Sequence, residues 1–103
     1  MFLRPILLAA TLTTFALPAL AAPDIEAGRQ LVLRSCSSCH ALNTSRSATD
    51  SAPPLSFLAK DNKARPAWVR GWLMDPHPPM PNIMLNRAQI DNIIAYLSTL
   101  PVN

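Results

Sequence analysis

Apolar residues fall in separate blocks along this chain, each with its own spacing. The first, PILLAATLTTFALPAL, is apolar almost throughout, is broken by Pro5 and Pro18, and follows the single positive charge of Arg4. The second has Ile25, Gly28, Leu31, Val32 and Ser35 on one stripe at helical spacing, running into Cys36. Asp24 precedes it as a cap, and Glu26 lies in the first turn, where a negative charge favours the helix. The third, Pro66 to Met74 (PAWVRGWLM), reads as a short helix ended at Asp75-Pro76, because a residue before proline avoids helical geometry. In the fourth, Ile90, Ile93, Ile94, Leu97 and Leu100 form an apolar face that runs until Pro101 stops it. Asn86 caps that helix with Gln89 as a capping-box partner, and Leu85 and Ile90 are spaced as a hydrophobic staple. Residues Ala41 to Pro54 read as polar loop, and His77-Pro78-Pro79-Met80-Pro81 as a stiff extended one. No stretch alternates with period two, and no repeat occurs. The chain is predicted to be all-α.

The first block is set apart from the rest. A short basic start, an apolar core and Ala19-Leu20-Ala21 form a secretory signal peptide, residues 1–21, with cleavage after Ala21. An uncleaved anchor is the alternative, but the run is short for a span of about 20 apolar residues and carries two prolines. Export implies the periplasm, with membrane contact only through an uncleaved leader. One domain remains, residues 22–103, an 82-residue chain. Its 8 Lys/Arg against 6 Asp/Glu give a net charge of +2 with no basic cluster, which argues against nucleic acid. A chain this small buries only about 60% of its unfolded surface, so a staple beyond its own core is expected.

Both cysteines lie in CSSCH, residues Cys36 to His40, and four chemistries compete for them. A disulfide over so short a loop would fasten nothing together. A dithiol redox pair belongs in a βαβ unit, which is absent. Zinc needs four ligands, and beyond Cys36, Cys39 and His40 only His77 remains. The fourth reading is covalent haem c. At positions i and i+3 of a helical turn, two sulfurs face the same way and can join the two vinyl groups of one porphyrin. His40 then projects to the iron.

These residues resemble the small monohaem class I c-type cytochromes: exported bacterial proteins with CxxCH near the N-terminus and a later methionine ligand. The likeness covers about Asp24 to Leu100. Gly28 lies eight residues before Cys36, where that family lets its terminal helices cross closely, and Ile93-Ile94-Ala95-Tyr96-Leu97 matches the family's last helix. Ala52-Pro53-Pro54-Leu55 is similar to its Gly-Pro-x-Leu loop, with alanine in place of the glycine. By that alignment the Pro53 carbonyl accepts the His40 Nδ1–H. DPHPPMPN resembles members whose ligand methionine precedes a proline. The resemblance implies a cytochrome c fold, with N- and C-terminal helices crossing and short helices between them around one haem.

Four residues compete for the sixth iron position. Met74 sits in the third helix and reads as core. Met80 stands between Pro79 and Pro81 on a stiff loop and is preferred. Met84 reads as lining the same pocket, and His77 as surface. Trp68 and Trp72 share a helix face; core packing competes with an indole N–H, Trp72 being the candidate, or Arg70, on a haem carboxylate. Arg46, Lys60, Lys63 and Arg65 read as solvated surface, with steering of an acidic redox partner as the alternative. His and Met together saturate iron and raise its potential, so the expected function is one-electron transfer rather than catalysis. The expected partners are redox proteins: a dehydrogenase, oxidase or reductase. The alternatives are a cytochrome subunit of a periplasmic sulfite or alcohol dehydrogenase, a haem-based sensor, and an exported module without haem.

Overall fold

The computed structural model describes residues 1, 11–17, 21–41 and 52–102, and among these four helices follow in chain order. They are α1 (Ile25–Ser35), α2 (Leu55–Ala64), α3 (Pro66–Met74) and α4 (Arg87–Leu97), with no strand among the described residues. Residues 18–20 and 42–51, which hold part of the cleavage motif, most of the polar loop and Arg46, lie outside the described residues.

Local chemistry starts the two terminal helices. The Asp24 carboxylate accepts the Ala27 N–H at 2.9 Å and opens α1. Asn86 and Gln89 close a reciprocal box at the start of α4: Gln89 N–H to Asn86 Oδ1 at 2.8 Å, and Asn86 N–H to Gln89 Oε1 at 2.9 Å. These bonds satisfy donors that a helix start otherwise leaves open.

α1 and α4 then cross at Gly28. A Cβ built there would overlap the Asn92 carbonyl oxygen, with the Asn92 carbon at 2.5 Å and Ile93 N at 3.1 Å, so only glycine permits this approach. Beside the crossing, the Asp24 N–H donates to Asn92 Oδ1 at 2.8 Å. Leu31 and Val32 of α1 meet Ile93, Tyr96 and Leu97 of α4, and Leu55 and Val69 complete the buried cluster from α2 and α3.

α2 is an element that the apolar pattern leaves unmarked. Its inner face carries Leu55, Ala59 and Asn62, so a polar residue stands where the stripe should continue, and no side chain caps its start. Asn62 is buried because its amide reaches α4, donating to Ile94 O at 3.3 Å and to Ser98 Oγ at 3.0 Å. α3 begins with Pro66 in its first turn and ends at Asp75, whose N–H bonds Gly71 O at 3.1 Å. An ion pair of 2.7 Å between Arg70 and Asp91 ties α3 to α4.

Three expectations are corrected here. Regular helix in α4 stops at Leu97, before the predicted end at Pro101. Ser98 Oγ and Thr99 Oγ1 bond the Ile94 and Tyr96 carbonyls at 2.8 and 2.7 Å, and the chain tightens into a turn with Leu100 N–H on Leu97 O at 3.2 Å. The proline loop is not extended throughout: Met80 N–H bonds His77 O at 3.1 Å and closes a turn. Met74 is not core; at the last position of α3 it is 62% exposed.

Candidate functional site

The turn that carries both thiols grows directly out of α1. Cys36 caps the helix, its N–H on Val32 O at 2.9 Å, and the Cys39 and His40 N–H groups return to Cys36 O at 3.1 and 2.8 Å. The chain thus completes one more helical turn, and residues three apart on such a turn share a face. Both thiols are free. Cys36 packs against the core cluster, while Cys39 is exposed. Burial, with a lesser contribution from the neighbouring Cys39, pushes the Cys36 thiol up from its ordinary range.

His40 is held from the opposite side. Its Nδ1 lies 2.8 Å from the Pro53 carbonyl oxygen. A carbonyl only accepts, so Nδ1 carries the hydrogen, and Nε2 is left with its lone pair free for a metal. One residue after His40 and two after Pro53, the Leu55 N–H bonds Ala41 O at 2.8 Å, so two neighbouring links fasten the turn to the start of α2. The alanine at position 52 does not prevent this geometry.

A second group forms where α3 meets the proline loop. The Trp72 indole N–H donates to Met80 Sδ at 3.0 Å. Trp68 stacks on Trp72 with centroids 5.9 Å apart, and the His77 ring meets it edge-on at 5.1 Å. Arg65 lies over Trp68 at 4.1 Å. The one indole hydrogen of Trp72 is therefore on sulfur rather than free for a carboxylate, and the Arg70 guanidinium is paired with Asp91.

The methionines separate clearly. Met80 is half-buried with its sulfur turned to Trp72. Met84, expected to line the pocket, is 83% exposed. Its N–H bonds Asn82 Oδ1 at 2.9 Å, and its φ of 57° puts the backbone in the left-handed region.

The donor set fits a haem. Two unpaired thiols on one turn suit two thioether bonds, and an imidazole fixed at Nδ1 suits axial ligation through Nε2. A site for a bare metal ion fits poorly, since among the described residues no three His, Cys, Asp or Glu side chains converge. Ser56, three residues after Pro53, buries a hydroxyl without a partner among the described residues. Sequence reasoning missed the contact between Trp72 and Met80, which lie eight positions apart across a turn, a spacing with no regular periodicity to mark it.

Comparison with known proteins points the same way. A family model described as Cytochrome c matches residues 25–101. The chain is 33% identical over 99 residues to a protein named cytochrome c-552 from Bradyrhizobium diazoefficiens, covering 95% of this chain and 94% of that relative. No solved structure gives a significant match.

Proposed function

Because this chain belongs to the cytochrome c family, which carries covalent haem c and exchanges electrons with redox partners, we propose that it is a periplasmic one-electron carrier with His40 and Met80 as axial ligands. In this reading Cys36 and Cys39 form the thioethers. The observation that carries it is the 2.8 Å contact between His40 Nδ1 and Pro53 O. That bond fixes the tautomer and ring direction and makes Nε2 a stronger donor. Haem supplies reversible oxidation of its iron when bound; the protein supplies the two axial atoms, their rigidity and an apolar surround. With both axial positions filled, no place is left for a substrate, and the reading is a carrier rather than an enzyme.

Export is supported by the leader. Leu12, Phe15 and Leu17 are exposed, whereas helix and family match both begin at residue 25. Among the described residues no helix is long and apolar enough to cross a membrane. The test is direct. Protein purified from a periplasmic extract should begin at Ala22 and keep its haem stain after denaturing electrophoresis, and replacing both Cys36 and Cys39 by serine should remove the stain. Haem that leaves the denatured wild-type chain would overturn the covalent reading.

A further inference from the structure

We propose that Trp72 is a positioning residue for the Met80 thioether, holding one side of the sulfur so that its other lone pair is presented to iron, and tuning its donor strength. This rests on Met80 being the sixth ligand, as proposed above. The indole has a single N–H, and it is spent on Met80 Sδ at 3.0 Å. Two aromatic neighbours fix the ring: Trp68 stacked at 5.9 Å with 26° between planes, and His77 edge-on at 5.1 Å and 84°. The same His77 receives the Met80 N–H on its carbonyl at 3.1 Å, so backbone and side chain of Met80 are both tied to the frame that orients the indole.

A thioether sulfur has two lone pairs. With one accepting a hydrogen bond, the other is the one left for a metal, which selects a single approach to the sulfur. An N–H on sulfur also draws electron density away from it. Ferric iron depends on that density more than ferrous iron does, so the bond favours the ferrous state and raises the potential.

The experiment compares holoproteins. Trp72→Phe keeps a ring in place and removes the hydrogen. The expected result is a far-red sulfur-to-iron charge-transfer band that persists at a shifted position, together with a lower reduction potential. Gln30→Ala changes an exposed side chain of α1 that takes no part in this frame, and should leave band and potential where they are. Should Trp72→Phe fail to fold, substituting Trp72 by benzothienylalanine, which replaces the N–H with sulfur at nearly the same shape, makes the same comparison. A wild-type-like potential and band in the N–H-free protein overturns the role of Trp72 while leaving Met80 as ligand. Absence of the band from the wild-type protein overturns both.

Discussion

Gly28 and Gly71 form a matched pair: both are interior to helices, but only one is blocked. A Cβ at Gly28 meets α4 backbone, so Gly28→Ala requires α4 to retreat by about 1 Å from the 2.5 Å approach of Asn92 C before ordinary contact is restored. No side-chain rotation relieves a clash with backbone, which places the cost near the top of the overpacking range, about 3 kcal/mol. Removing a helical glycine returns about 1 kcal/mol, leaving a net destabilisation of about 2 kcal/mol. That is roughly a 30-fold loss in the folding equilibrium constant. For a domain of 60–100 residues it corresponds to a fall in Tm of about 8–16 °C. At Gly71 an added Cβ meets nothing within 4 Å, so Gly71→Ala should be neutral or stabilising by up to about 1 kcal/mol. Thermal unfolding of both holoproteins, followed by far-ultraviolet circular dichroism, measures the difference. Equal Tm values for the two variants would refute the argument that helix proximity dictates glycine at position 28.

The ligand assignment predicts that Met80→Ala abolishes the far-red band of the ferric protein, opens ferrous iron to carbon monoxide and lowers the potential. Met84→Ala, on an exposed side chain, should change none of these, and loss of the band in Met84→Ala would move the ligand four residues along. On the surface of α1, hydrogen bonds from Arg29 first and then Gln30 hold the Glu26 carboxyl at about 2 against an ordinary 4.5. A carboxylate depressed in this way favours the fold above its ordinary value, and the contribution fades as pH falls from about 4.5 to about 2. Carbon-detected NMR titration should therefore place Glu26 near 2, and Arg29→Ala should return it most of the way to 4.5; a midpoint unmoved by Arg29→Ala would exclude the ion pair as its cause.

What the sequence disclosed is what short-range chemistry decides. Asp24, Asn86 and Gln89 act on N–H groups within three positions, and CSSCH sets its own turn, so these features can be read from the residues alone. α2 was missed because the Asn62 NH2 group finds its acceptors on Ile94 and Ser98, more than thirty positions away. Met80 and Met84 are the same residue on the same loop. Met80 turns its sulfur to Trp72, while Met84 takes a positive φ with its N–H on the Asn82 side chain, and periodicity reveals neither. For the Trp72 indole the residues alone offer a haem carboxylate or core packing, and only the path of the loop brings sulfur to it.

The crossing of α1 with α4 also sets an order of events during synthesis. Asp24 bonds Asn92 across 68 positions, and Gly28 is roofed by the Asn92–Ile93 backbone, so the first helix made is sealed only by the last. Contacts of such long sequence separation form late. A chain emerging from its N-terminus has Cys36 and Cys39 in the open through most of its synthesis, and the surface that buries Cys36 is incomplete until Ile93, Tyr96 and Leu97 arrive. The final dozen residues therefore act as the closing latch, and a chain cut short before α4 keeps the Cys36 thiol exposed instead of packing it against a finished core.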